Sequence, residues 1–198
     1  MRLLAIDTAT PRPSVALVAD GSDARVLELP PQAAEALAPT VERLLSEAGV
    51  PARALDRVAV VSGPGSFTGL RSSLAFARGL ARAVGAELVP VPTFEAASAA
   101  LPAPADADLV LDALRGEVHR RRRRSGALSA PDDRVPRSAA VEQAAREGVA
   151  VLDLDAAAPR LAPAAAALAR SATPGADGGL VYGRPAAAEE RFGPGEGA

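Results

Sequence analysis

The sequence predicts an α/β fold in which a mixed sheet carries helices on its faces, followed by a smaller half of related construction. Three observations predict it. Three strand-like runs open the chain, helices and strands then alternate up to residue 100, and the second half again begins with a hairpin whose first strand ends in an acid.

The opening elements are marked by apolar runs that turn residues interrupt. Residues 3–6 and 14–18 are two such runs with prolines between them, which predicts two paired strands. Residues 25–29 alternate charged and apolar side chains, which predicts a third strand. Apolar residues then recur at helical spacing up to residue 48, and Pro39 predicts where the regular part of this helix begins.

The rest of the first half alternates strands and helices. Residues 57–61 predict a buried strand, and a glycine-rich loop over 62–69 leads into a helix over 68–84. A strand over 87–91 and a short helix over 93–100 follow.

The stretch 101–108, rich in proline and alanine, predicts a linker that divides the chain into a first lobe over residues 1–101 and a shortened second lobe over 102–198. Glycine and proline in the tail from Thr173 predict that parts of it are disordered. The second half has predicted strands over 109–112, 117–124 and 149–154, and predicted helices over 138–147 and 163–172.

Composition excludes several chemistries. The chain has no cysteine and one histidine, His119, which excludes a thiolate nucleophile and a multi-histidine metal site. All 22 basic residues are arginine, so there is no Walker A lysine, and the net charge of -2 does not indicate nucleic acid. The first apolar run meets Asp7 too early for a signal peptide, and no run approaches the roughly 20 residues of a membrane span, so we expect a cytoplasmic protein without membrane contact.

The glycine-rich loop lies between a predicted strand and a predicted helix. Its backbone N–H groups could receive an anion there, or a hydroxyl could cap the helix. Its spacing is neither that of the dinucleotide-binding G-x-G-x-x-G nor that of the nucleophile motif G-x-S-x-G. We expect a structural role for its residues, Gly63, Pro64, Gly65, Ser66, Thr68 and Gly69.

Two aspartates each end the first strand of a half. Two such hairpins could hold a phosphate and its magnesium between the lobes, and each acid could equally cap its own turn. Phosphate binding needs a glycine close to the acid, which neither turn places directly after it. We therefore expect a degenerate nucleotide site with weak or absent binding, and no cofactor, at Asp7, Thr8, Thr10 and Asp112.

Five consecutive arginines, Arg120 to Arg124, follow His119. They could bind a phosphate backbone, but on a strand at most half of them would form one basic stripe. We favour a solvated edge strand whose charge deters aggregation. The sequence places no nucleophile or general base beside His119, so we expect it not to be catalytic.

The helix over 68–84 has two apolar strips. One contains Leu70, Leu74, Ala77 and Ala81, and the second, beside it, contains Phe76 and Leu80. A helix that covers a sheet needs only one strip. The second predicts another packing partner, which is either the first helix or another protein.

Four segments together are similar to one known family: LLAIDTAT at 3–10, SGPGSFTGLR at 62–71, VPVPTFEAASA at 89–99 and LDALRGEV at 111–118. They resemble the TsaB family, also called YeaZ, and LVYGRPAA at 180–187 is a weaker match. The resemblance covers the first lobe and reaches into the second. It implies a two-lobed, actin-like ATPase (ribonuclease-H-like) fold with a shortened second lobe.

The resemblance also implies a function. TsaB proteins are scaffold subunits without catalysis of their own that bind TsaD, a tRNA threonylcarbamoyltransferase. With the ATPase TsaE they support transfer of a threonylcarbamoyl group to the adenosine beside the anticodon in tRNAs reading ANN codons. TsaD carries two metal-binding histidines in a helix that matches the stretch 91–97, where this chain has none, so no metal is implied. Contact with tRNA would be indirect or weak.

In that family the two helices of the first lobe bind TsaD and form a homodimer in its absence. This chain departs from the usual pattern at Ala33 and Ala34, at Leu114 and at His119. The implied partner interface consists of Leu37, Val41, Leu44, Leu70, Arg71, Leu74, Phe76, Ala77, Arg78, Leu80 and Ala81.

Two other functions stay open. A small ATP-dependent phosphotransferase of the same fold would hold magnesium at Asp7 and Asp112. Direct RNA binding would use the arginine run and would weaken steeply with salt.

Overall fold

The computed structural model describes residues 1–30, 33–102, 104–129 and 132–172, which form two sheets of five strands each. The first sheet has the strand order β3-β2-β1-β4-β5. Strand β1 is antiparallel to β2 and parallel to β4, so the sheet is mixed, as predicted. Its strands are β1 (Leu3–Asp7), β2 (Ser14–Val18), β3 (Arg25–Glu28), β4 (Arg57–Val61) and β5 (Glu87–Val91).

Two helices cover one face of this sheet. Helix α1 (Ala33–Glu47) and helix α2 (Phe67–Val84) bury apolar stripes against alternate residues of β1, such as Leu4 and Ile6. The stripes arise because apolar residues recur every three or four positions in both helices. Helix α2 ends at Gly85, whose left-handed conformation (φ 74°) closes its last turn.

The first helix begins six residues before the predicted start at Pro39. Pro39 lies inside α1, and Ala33 and Leu37 on its N-terminal side are buried. The burial of these two residues against the sheet offsets the cost of a proline inside the helix, so the helix begins before Pro39. The sequence pattern shows that cost but not the burial. Helix α3 (Thr93–Ala100) has the predicted bounds.

The second sheet has the order β10-β6-β7-β8, and β9 also pairs with β7. The predictions did not include β8 and β9, which are short and form by pairing with β7. The strands are β6 (Ala107–Asp112), β7 (Glu117–Arg124), β8 (Ala127–Leu128), β9 (Asp133–Pro136) and β10 (Ala150–Asp153), with helices α4 (Arg137–Glu147), α5 (Leu154–Ala157) and α6 (Ala162–Ser171).

Helix α6 packs on the second face of the first sheet, although it comes from the second half of the chain. Its alanines share one core with Leu3 of β1, Phe94 of α3 and Leu109 of β6. The side chain of Arg57 donates to the carbonyl oxygens of Ala169 (2.6 Å) and Ala172 (2.9 Å), which satisfies the end of the helix. The division of the chain at residue 101 stays a prediction, and the predicted disorder from Thr173 lies outside the described residues.

Candidate functional site

The turn after β1 holds Asp7, Thr8 and Thr10, three residues of the predicted nucleotide site. Asp7 is fully buried and accepts hydrogen bonds from the Ala9 N–H (2.8 Å) and the Thr10 hydroxyl (2.6 Å). The backbone of Leu161, just before α6, also hydrogen-bonds to it. Burial raises the pKa of Asp7 from 3.8 to about 6, against these hydrogen bonds, which lower it. Both oxygens of this carboxyl group therefore have partners inside the chain.

The glycine-rich loop packs on this turn. A Cβ atom on Gly65 would lie 2.5 Å from the Ala9 carbonyl oxygen, and one on Gly69 would overlap the Thr8 carbonyl oxygen. The Ser66 N–H donates to the Ala9 carbonyl oxygen (2.8 Å), and the Thr8 hydroxyl donates to the Gly69 carbonyl oxygen (2.7 Å). These glycines allow a close approach between two backbone segments of the same chain.

The remaining loop residues have local partners. The peptide bond before Pro64 is cis, and the Pro64 carbonyl oxygen accepts from the Thr93 hydroxyl (2.6 Å). The Gly63 carbonyl oxygen accepts from the Thr93 N–H (2.9 Å). Ser66 caps α2 by accepting from the Gly69 N–H, whereas Thr68 is exposed in the first turn of the helix. Of the two hydroxyls that could cap the helix, it is therefore Ser66 that does so, and the structural role of the loop as a whole stays a prediction.

Asp112 ends β6 on the second sheet. Its carboxylate accepts from the Leu114 N–H (3.2 Å) and lies 3.7 Å from the guanidinium of Arg137, while its own N–H donates to Asp155 (2.7 Å). Like Asp7, it holds its own turn. Within the described ranges, no group of three or more histidine and acidic side chains is arranged to hold a metal ion.

The arginine run lies on β7, inside the second sheet. Strand β7 pairs with β6 on one side and with β8 and β9 on the other, so the prediction of an edge strand was wrong. The signal was missed because the run contains no apolar residue, and the acids that accompany it are distant in the sequence.

Each arginine of the run has a partner in the chain. Arg120 forms a two-point contact with Asp133. Arg121 pairs with Asp132, Arg122 donates to Gln143, Arg123 donates to the Pro104 carbonyl oxygen, and Arg124 contacts the buried Asp108 at 2.9 Å. The neighbouring His119 is half-buried, and burial lowers its pKa. Arg120, Arg121 and Arg124 thus pair with carboxylates of the same chain, and Arg122 and Arg123 donate to neutral oxygens.

The residues of the implied partner interface divide into two groups. Four reach the surface, since Arg71 and Arg78 are exposed and Phe76 and Leu80 are half-buried. The others point into the core of this chain: Leu37, Val41, Leu44, Leu70, Leu74, Ala77 and Ala81. Helical periodicity alone does not separate a stripe that packs on the sheet from one that faces outward. That the exposed part binds a partner stays a prediction.

An apolar groove of about 340 Å³ lies between α1 and α2 and is called the α1–α2 groove below. Phe76 and Leu80 form its α2 wall, so the second apolar strip meets α1 only in part. The sequence did not predict that Val50 and Ala52, which follow α1, line the groove, because they continue no periodic pattern. The lining consists of Ala38, Val41, Glu42, Leu45, Ser46, Val50, Ala52, Phe76 and Leu80.

Gly79 lies beside this groove on the exposed side of α2. A Cβ atom at this position would meet no heavy atom of the described residues within 4 Å, apart from its chain neighbours and the backbone of its own helix. A glycine inside a helix is unfavourable relative to alanine, and no contact in the part of the chain that the structure describes requires a glycine here. The surface next to Phe76 and Leu80 is therefore shallow and open.

Residues 30–131, more than half of the chain, match the family described as TsaD, tRNA N6-adenosine threonylcarbamoyltransferase. This chain belongs to that family. Within it the chain is of the TsaB/YeaZ type. It is 44% identical over 89 residues to the tRNA threonylcarbamoyladenosine biosynthesis protein TsaB of Escherichia coli K12. This match covers 44% of the chain and 38% of the E. coli protein.

A solved structure supports the same assignment. YeaZ from Pseudomonas aeruginosa is 33% identical, with a TM-score of 0.61 over 68% of this chain and 66% of that one. The likeness confirms the actin-like, ribonuclease-H-like fold. A shorter match, 48% identical over 58 residues, is to a tRNA N6-adenosine threonylcarbamoyltransferase of Cereibacter sphaeroides, covering 29% of this chain and 16% of that protein.

The chain spans well under half the length of these curated relatives. Among the described helices, none is long and apolar enough to cross a bilayer.

Proposed function

We propose that this chain is a non-catalytic subunit of the machinery that makes N6-threonylcarbamoyladenosine beside the anticodon in tRNAs reading ANN codons, and that it acts by binding a TsaD-type transferase. The observation that carries the proposal is the α1–α2 groove. Apolar side chains that are half-exposed in the isolated chain gain free energy when a partner removes them from water.

The shape of the groove also favours a partner that binds through a helix. Its walls are two helices, and Phe76 and Leu80 are one turn apart on α2, so a helix laid along the groove would meet both. A second copy of this chain offers the same surface. The homodimer and the complex with the TsaD-type subunit therefore compete for one site.

The proposed absence of catalysis is supported by the way the chain uses its own acids and glycines. The carboxyl group of Asp7 holds the turn and the start of α6, and the loop glycines admit the backbone of that turn. Thr93 lies in the stretch that resembles the metal-binding helix of TsaD, and its hydroxyl donates to the glycine-rich loop. A TsaE-type ATPase would join through the TsaD-type subunit, and tRNA contact is indirect because the arginines of β7 are paired internally.

The test is a charge placed in the groove. Leu80→Glu is expected to remove both binding to the TsaD-type subunit and self-association, because an unpaired buried carboxylate costs several kcal/mol. Leu74 is unsuitable for this test, since its side chain lies in the core and a charge there would unfold the chain. Val141→Glu is the matched control, because Val141 is exposed on α4, away from α1 and α2.

Two measurements decide the outcome. Sedimentation velocity reports self-association of the chain alone and, in mixtures with the purified TsaD-type subunit, binding to that subunit. Mass spectrometry of tRNA nucleosides reports threonylcarbamoyladenosine in cells depleted of the wild-type chain. Retained binding and retained modification with Leu80→Glu would overturn the proposal. Micromolar binding of Mg-ATP by the isolated chain in calorimetry would instead favour a phosphotransferase.

A further inference from the structure

The hairpin tip between β6 and β7 has an unusual backbone. Three consecutive residues have positive φ, namely Leu114 (64°), Arg115 (56°) and Gly116 (79°). This left-handed region suits glycine, whereas a larger L-residue brings its Cβ atom too close to the following carbonyl oxygen. Two of the three residues are therefore of types that the backbone disfavours.

Two other turns of the same chain show the ordinary solution. Asp20 (49°) precedes Gly21 (83°), and Ser125 (51°) precedes Gly126 (80°). Short polar side chains tolerate the left-handed region, and aspartate is among the enriched types. The conformation of the tip thus does not explain leucine and arginine at its two leading positions.

The tip displays both side chains. Leu114 is 65% exposed, and Arg115 is exposed as well. An aliphatic side chain this exposed gains little from the fold of its own chain. A single exposed leucine needs no explanation, but one held in a disfavoured backbone conformation does.

The tip is also braced from both sides. The Ala113 N–H donates to the Glu117 carbonyl oxygen (3.0 Å), and the Glu117 N–H donates to the Leu114 carbonyl oxygen (3.1 Å). The Arg137 N–H at the start of α4 donates to the Gly116 carbonyl oxygen (2.9 Å). These bonds fix the backbone that carries the two side chains before any partner arrives, which lowers the backbone entropy lost on binding.

We propose that Leu114 and Arg115 form a recognition finger that inserts into an apolar pocket bordered by carboxylates on the TsaD-type subunit. This inference rests on the proposed function and adds a second contact, on the second sheet, to the α1–α2 groove. Leu114 supplies the apolar anchor, and the guanidinium of Arg115 binds the carboxylates.

The chemistry favours a different protein over a second copy of this chain. A symmetric contact between two fingers would bring two arginines together, and like charges repel. RNA is a poorer match, because an aliphatic side chain offers no ring on which a base stacks.

The experiment measures binding of the purified TsaD-type subunit to the full chain and its variants. Leu114→Asn and Arg115→Asn introduce a residue type that the left-handed region tolerates. Both variants are therefore expected to fold, with an unfolding temperature no lower than that of the wild type. Each is expected to weaken binding about tenfold or more, as truncation of an interface anchor does. Arg115→Asn should also reduce the salt dependence of binding.

Val141→Asn is the matched control, because it also removes an exposed apolar side chain from the second half of the chain, and its binding should equal that of the wild type. Self-association of the two finger variants should be unchanged in sedimentation velocity. Wild-type affinity of both variants would overturn the finger and leave the groove standing. So would a loss confined to tRNA binding, or a loss of self-association. If the wild-type chain does not bind the TsaD-type subunit at all, the proposed function fails, and the finger fails with it.

Discussion

Replacing Gly79 by leucine should separate the stability of the chain from its association. Gly79 lies inside α2, and a Cβ atom there meets no described heavy atom within 4 Å beyond its own helix and chain neighbours. Glycine in a helix interior is about 1 kcal/mol less favourable than alanine, and leucine is close to alanine. Gly79→Leu is therefore expected to raise the free energy of unfolding by roughly 0.5–1 kcal/mol. For a chain of this size that corresponds to an unfolding temperature higher by about 2–4 °C at most.

The same substitution should weaken association. The leucine side chain would stand beside Phe76 and Leu80, on the surface that the proposed function assigns to a partner helix. A side chain inserted between two packed surfaces costs about 1–3 kcal/mol, or roughly five- to 150-fold in affinity. Gly79→Ala adds one methyl group, so it should keep the gain in stability and lose less affinity.

Calorimetric unfolding and sedimentation velocity on the same three proteins provide the assay. Unfolding is measured at a concentration where the chain is monomeric, because association would raise the unfolding temperature of the wild type. If Gly79→Leu raises the unfolding temperature and leaves self-association as in the wild type, the surface of α2 around Gly79 is not a binding surface. A lower unfolding temperature would refute the open surroundings of Gly79 on which the reasoning depends.

Three further predictions concern the fold around the turn and the sheet. Asp7→Asn should remove a pH dependence of the free energy of unfolding. Burial raises the pKa of Asp7 in the folded chain to about 6, so ionising its carboxyl group destabilises the fold. As the pH rises from about 4 to about 6, the wild type should therefore lose about 3 kcal/mol of stability relative to the variant. Urea unfolding across that interval measures the difference, which stays constant if the reasoning fails. Arg57→Ala should destabilise the chain by about 1.5–3 kcal/mol, because the C-terminal carbonyl groups of α6 lose a charged donor. An unchanged urea midpoint would contradict that role. Gly69→Ala should destabilise the chain, because the added methyl group would overlap the Thr8 carbonyl oxygen, whereas Gly79→Ala should stabilise it. Equal urea midpoints for these two variants would contradict the close approach at Gly69.

Most of the first sheet follows from local patterns. Strands β2, β4 and β5 have the predicted bounds, because their apolar runs are delimited by glycine, proline and charged residues within a few positions. The start of α1 was not predicted, since it depends on the burial of Ala33 and Leu37 against strands distant in the sequence. Propensity at Pro39 does not contain that information.

The candidate site was harder to predict for a related reason. The arginine run suggested an edge strand, yet three of its members pair with Asp108, Asp132 and Asp133, which no local pattern connects to the run. The periodicity of α2 identified both apolar strips but not which one faces the core. The groove depends on Val50 and Ala52, whose positions follow only from the packing of α1 against the sheet.

Two kinds of glycine differ in this chain: those that close packing within the chain requires, and one that no described contact requires. Gly65 and Gly69 stand in a loop of the kind that approaches phosphates, but their missing side chains admit the backbone of Thr8 and Ala9, so packing within the chain accounts for them without a ligand. Gly79 is exposed on α2, and a Cβ atom there would meet no described atom beyond its own helix, so packing among the described residues does not account for its cost in helix stability.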